Sequence, residues 1–189
     1  MWRKSNRTLE SQSGAATLLR RLRKDNEGAT AIEFAMVAGP FLMLLFGIIG
    51  VGLFFFTTFS LENSVETAAR QLRTGALQQS GSSDPASDFK TAVCSSLPGF
   101  ITCSEVTTNV LSFSNYAAIT ANSIPSCTNA AGALATPVFT PGQQNAVVVA
   151  WACYKWKVAK DIPFINLGNQ GDGSRLIQAT TTFQTEPYQ

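Results

Sequence analysis

The 189-residue chain contains no histidine, and charged residues make up only 14% of it. Without imidazole there is no His-dependent triad, and neither a paired-carboxylate site nor a glycine-rich phosphate loop after a strand stands out in its place. No catalytic residue is assigned, and the chain is expected to bind and assemble rather than to act as an enzyme. The four cysteines, Cys94, Cys103, Cys127 and Cys153, form no close C-x₂₋₄-C pair. With histidine also missing, zinc is a poor reading of them, and neither metal nor cofactor is expected. Basic surface is scarce outside the first 28 residues, which hold seven Lys or Arg against three acids, a net +4, while the remainder is net −2. Nucleic acid is therefore not expected as a partner. No internal repeat of useful length is visible.

Charge is also missing from one long stretch, and that absence is the most informative of all. From Phe34 to Leu61 there are 28 residues without a formal charge, and about 20 mostly apolar residues suffice to cross a bilayer as a helix. Sixteen of the 28 are Leu, Ile, Val or Phe. At roughly −0.3 to −0.6 kcal/mol each they supply about −5 to −10 kcal/mol, which exceeds the roughly 2.5 to 3.5 kcal/mol cost of a central charge. Glu33 sits at the end of the run, not within it. Pro40 removes one backbone donor and is a point where the helix can kink, which membrane helices tolerate. Arg7, Arg20, Arg21, Arg23 and Lys24 precede the run, and only Arg70 and Arg73 follow it closely. The positive-inside rule then puts residues 1–28 in the cytoplasm and the rest outside.

Beyond the run the helical pattern continues. Leu61, Val65, Ala68, Ala69, Leu72 and Ala76 recur at steps of three and four, with Glu62, Glu66, Arg70 and Arg73 on the other face. One long helix over about 29–78 is expected, ended by the Gly, Ser and Pro of Gln78 to Pro85, with a short helix restarting at Ala86 and reaching the Cys94 region. Strands are expected at Val106–Phe113, Ala146–Val158 and Leu176–Gln184. In the middle one, Val147, Val149, Trp151 and Cys153 fall on one face and Val148, Ala150, Tyr154 and Trp156 on the other. Residues 114–145 and 159–175 read as long loops, where binding specificity could reside. All four cysteines lie in the part assigned outside, where disulfides persist. Three connectivities are possible. Cys94 with Cys103 and Cys127 with Cys153 are preferred, since the first pair flanks a Leu-Pro-Gly-Phe turn and the second would tie a loop to a strand.

The fold class that follows is α+β: a long N-terminal transmembrane and amphipathic helix, then a small antiparallel-sheet domain with disulfides on the outer side, which the resemblance described below would make periplasmic. The expected parts are a basic leader at 1–28, the helix at 29–80 and the α+β domain at 81–189. Trp151, Tyr154 and Trp156 with Lys155 and Lys157 read as core or partner interface rather than as a sugar or nucleic-acid platform, because the aromatics alternate between faces. Phe54, Phe55 and Phe56 read as lipid or helix contacts. Gly47, Gly50 and Gly52 form no G-x-x-x-G but would permit close helix approach in an assembly.

The junction Gly28-Ala29-Thr30-Ala31-Ile32-Glu33-Phe34 resembles the processing site of type IV prepilins, where a membrane aspartic peptidase cuts after the glycine and leaves glutamate at the fifth mature position. With an aromatic residue after the glutamate it is similar to the sites of the Flp, or tight-adherence (Tad), pilus system. The chain length favours a TadE-like pseudopilin over the very short major pilin. Leu61 to Leu77, with Asn63, Ala68, Ala69 and Arg70, resembles that family's post-membrane helix, and the ending Ala-Thr-Thr-Thr-Phe-Gln-Thr-Glu-Pro-Tyr is similar to its C-terminal pattern. The resemblance implies that Gly28 precedes the scissile bond, Ala29 supplies the new amine, Glu33 is the assembly acid, and Phe34 stands where tyrosine is commoner. It implies as partners a prepilin peptidase, other pilins or pseudopilins of the same system and the inner membrane, with a single pass and the C-terminal domain in the periplasm. Two further readings stay open, an uncleaved membrane-anchored periplasmic adaptor and a ligand-binding protein that uses the long loops. A secretory signal fits less well, because its apolar region should be about 7 to 15 residues with an A-x-A-like site.

Overall fold

The computed structural model describes residues 27–120 and 123–187. The expected leader, apart from its last two residues, lies outside them. The described chain divides into two units, one ending at Phe46 and the other beginning at Gly47. The fold is α+β, as the pattern of apolar periods implied: a long N-terminal apolar helix followed by a three-stranded antiparallel sheet and two disulfides.

Helix α1 (Glu27–Arg73) is assigned without interruption through Pro40. It stops before position 78 because Gly75 takes a left-handed conformation, φ 76°. Glycine enters that region without a Cβ penalty, and it is the usual residue just past a helix end. The last carbonyls are satisfied there: the Thr74 and Gly75 amides donate to Arg70 and Leu72 oxygens at 3.0 and 3.2 Å, and Gln78 Nε2 donates to Leu72 O at 3.2 Å. The chain re-enters as the short α2 (Ala76–Gln79) with its phase reset. Leu77 is therefore buried and Ala76 exposed, the reverse of the uninterrupted pattern. Helix α3 (Pro85–Ser95) has proline at its first position, and the Asp84 carboxylate accepts from the Ser87 amide at 3.0 Å, an N-cap of the ordinary kind.

The sheet has the order β1 (Val106–Phe113), β2 (Val147–Trp156), β3 (Arg175–Gln184), all antiparallel. β2 is shorter than expected at both ends and runs directly into a 3₁₀ turn at Lys157–Lys160. Register pairs Val110 with Ala150 and Ala150 with Thr181, which fixes the two faces. One face carries Val106, Val110, Val148, Ala150, Ala152, Ile177 and Ala179, packed with Leu61, Val65, Ala68 and Leu72 of α1 and with Phe89 and Val93 of α3. Phe89 is fully buried there, its ring 6.2 Å from that of Phe139.

The other face is also covered. Val149, Trp151 and Cys153 are buried with Cys127, under Ile119, Ile124 and Leu134 of the long connection between β1 and β2. That connection is a folded cover rather than a free loop. Cys127 and Cys153 are disulfide-bonded across it with Cα atoms 5.7 Å apart, and Cys94 is bonded to Cys103 at 5.6 Å, tying the end of α3 to the start of β1. Its later part returns along the β1 edge, where the Val110 amide donates to Val138 O and the Thr140 amide to Val110 O, both at 2.8 Å.

Candidate assembly and membrane site

The residues of the proposed processing and assembly motif occupy the start of α1. The backbone of Gly28 and Ala29 is in its first turn. Glu33 follows Ala29 by four residues, one helical turn, so the two positions share a face. Glu33 is exposed, and among the described residues it makes no hydrogen bond or ion pair. Phe34 is 75% exposed. Ile32, Met36, Val37, Phe41 and Leu42 are exposed as well, on every side of the helix. A helix that is apolar all round and uncovered belongs in lipid or among other helices, and this one is long and apolar enough to cross a membrane once.

From Gly47 onward α1 belongs to the second unit, and one of its faces is covered by the rest of that unit. Gly47, Gly50, Thr57, Leu61, Ser64, Val65, Ala68 and Leu72 are buried at steps of three and four, with Phe54 half-buried among them. The glycines contact a loop of the same chain. A Cβ at Gly47 would lie 2.7 Å from Ile165 Cδ1, and one at Gly50 would lie 3.0 Å from Ile162. A small residue is what lets the loop come that close. Gly52, by contrast, faces open space. Phe54 packs against Trp156, ring centroids 5.9 Å apart, with the Arg175 guanidinium 4.4 Å above its ring. At the other end of the helix, Thr181 Oγ1 donates to Glu66 at 2.9 Å, the Glu186 amide donates to Arg73 O at 2.8 Å, and Arg73 pairs with the Glu186 carboxylate at 3.4 Å. The C-terminal Phe-Gln-Thr-Glu segment is thus a strand end and a clasp on α1.

The aromatic residues of β2 are core. Trp151, Tyr154 and Trp156 are all nearly inaccessible, so they form no platform for a sugar or base. Burial, reinforced by Glu105, pushes the Tyr154 phenol above its ordinary range, with Lys157 opposing. Lys157 is bonded to Glu105, which holds its ammonium above the usual lysine value, the hydrogen bond first and the charge second. A cleft of about 370 Å³ lies beside Gly132, Lys155 and Asp172. Its charges are already engaged: Lys155 Nζ donates to Gly132 O at 2.9 Å and to Asp172 at 2.8 Å, and Ser174 Oγ donates to Asp172 at 2.6 Å. Those bonds, Lys155 first, hold the Asp172 carboxyl well below the usual carboxylate range. This cluster ties two loops together.

Residues 28–70 match the model of the TadE-like protein family. The match begins at Gly28 and ends at Arg70, so it takes in the membrane-length run and most of the buried stripe beyond it. It suggests a Tad pilus-related protein, a structural rather than enzymatic kind. No curated protein and no solved structure matches the chain. Sequence reasoning missed the loop that seats on Gly47 and Gly50, because 159–175 reads as a polar connection overall. The run Ile162-Pro163-Phe164-Ile165 is the signal it contained.

Proposed function

We propose that this chain is a minor pseudopilin that acts in assembly of a tight-adherence pilus, cut after Gly28 by a prepilin peptidase and inserted once in the inner membrane. In this reading the basic leader is cytoplasmic and the disulfide-bonded domain, 81–189, periplasmic, with 29–80 as the connecting helix. The observation that carries it is the TadE-like match starting at Gly28 together with an exposed Glu33 one turn from Ala29. Cleavage would leave an ammonium at Ala29. A carboxylate at the edge of hydrocarbon is costly unless paired, and the amine of the same or a neighbouring helix would neutralise it. Such a pair registers one apolar helix against the next. Helices that are equally apolar on all sides gain no register from hydrophobicity, so a charge pair at a fixed height supplies it.

Two measurements test this. Intact mass of the chain expressed with and without the peptidase should differ by residues 1–28, and Met1 on every molecule in the presence of the peptidase would refute processing. Glu33→Ala should be processed and exported normally but recovered in reduced amount with the other pilus subunits. Undiminished recovery would remove the role given to Glu33.

A further inference from the structure

The contact of Ile162 and Ile165 with α1 has a height along the membrane normal. The uncharged run Phe34–Leu61 is 28 residues long, and about 20 residues cross the roughly 30 Å of hydrocarbon. Every 20-residue window inside that run contains positions 42–53. Gly47 and Gly50 are therefore within the hydrocarbon whichever window is used. In the window nearest the N-terminus, 34–53, they lie about 9 and 4.5 Å below the boundary on the domain's side, at about 1.5 Å per residue. The loop side chains seated on them lie at the same depths.

The chemistry of the loop matches that position. Of its charged residues, Lys157, Lys160 and Asp161 precede Ile162 and Asp172 follows Gly171, so that from Ile162 to Gly171 there is no charge. Phe164 is 69% exposed and held at φ 68°. A bulky residue takes that conformation only when its surroundings impose it, and here an apolar ring is turned outward. Phe100, 52% exposed, stacks on Phe56 at 5.4 Å, about 9 Å further along α1 from Gly50 toward the domain. Apolar elements that lie in an interface are buried about 5 to 10 Å, with their basic residues toward the headgroups.

We infer that residues 162–165 enter the acyl region of the bilayer beside α1, so that the second unit rests on the membrane through a lipid contact of its own. The occupant of the exposed Phe164 surface is lipid, because that surface continues the apolar run of the helix against which it packs. The inference rests on the membrane-spanning reading of Phe34–Leu61, and the test separates the two. All four cysteines are in disulfides, so a single introduced cysteine is the one reactive thiol. Full-length Phe164→Cys, Leu44→Cys and Ser83→Cys chains, each carrying an environment-sensitive fluorophore, are reconstituted in phosphatidylcholine–phosphatidylglycerol vesicles. Emission at position 164 should be lost to acyl-chain nitroxide lipids and spared by aqueous iodide, as at position 44, with the opposite pattern at 83. Lipid quenching at 44 together with iodide quenching at 164 overturns the inference and leaves the spanning helix intact. Protection of 164 from both quenchers also overturns it, in favour of a second copy of the chain. Iodide quenching at both 44 and 164 overturns the spanning helix as well.

Discussion

Removing the Cys127–Cys153 disulfide should cost more than removing Cys94–Cys103, although the second lies between two main elements of the core. The bridges close segments of 26 and 9 residues respectively. The loop-closure entropy that each removes from the unfolded chain corresponds to about 3.5 kcal/mol for the longer and about 2.6 kcal/mol for the shorter. The longer bridge also pins the cover of Ile119, Ile124 and Leu134 over Trp151, and Trp151 is 1% exposed. The perturbation is the pair of double variants Cys127→Ala/Cys153→Ala and Cys94→Ala/Cys103→Ala. Urea unfolding of the full chain in non-ionic detergent, followed by tryptophan fluorescence, gives both losses on one scale. A difference of about 1 kcal/mol is expected from chain entropy alone, with a red-shifted folded-state emission only when Cys127–Cys153 is gone. A larger loss from the Cys94–Cys103 variant would refute the argument, and would mean that native-state packing around α3 outweighs the restriction of the unfolded chain.

Two further outcomes follow from the packing and the charges. Phe89→Ala, at the fully buried contact of α3 with the sheet and α1, should cost about 3 to 5 kcal/mol, read by the same urea titration. Asp172→Asn should lower stability near neutral pH, because the native carboxyl is held below its unfolded value by Lys155 and Ser174. A depressed native pKa stabilises above the unfolded value, about 3.9, and that contribution fades as pH falls toward the native one. The difference between wild type and variant should therefore shrink as thermal midpoints are measured from pH 7 down past about 4.

Much of the fold was legible because its signals are local. The buried face of α1 at Leu61, Val65, Ala68, Ala69 and Leu72 is a periodicity of neighbouring residues, and so is the division of β2 into two faces. The end of α1 was less legible. A glycine inside a helical pattern costs only about 1 kcal/mol relative to alanine, so Gly75 could have been passed through, and its left-handed turn depends on Gln78 and Thr74 satisfying the last carbonyls. The matched segment 28–70 is linear, which is why it could be read directly.

The sequence alone determined that a membrane-length apolar helix leads into an amphipathic extension and then a small antiparallel sheet, since length, charge-free composition and apolar period are properties of consecutive residues. Tertiary structure alone decided what those elements touch. Gly47 and Gly50 receive Ile165 and Ile162 from more than 100 positions away, and the β1–β2 connection folds back over Trp151 instead of standing free. The physical reason is that close packing depends on which surfaces meet, and the alternation of apolar and polar residues records that a surface is to be buried without recording against what.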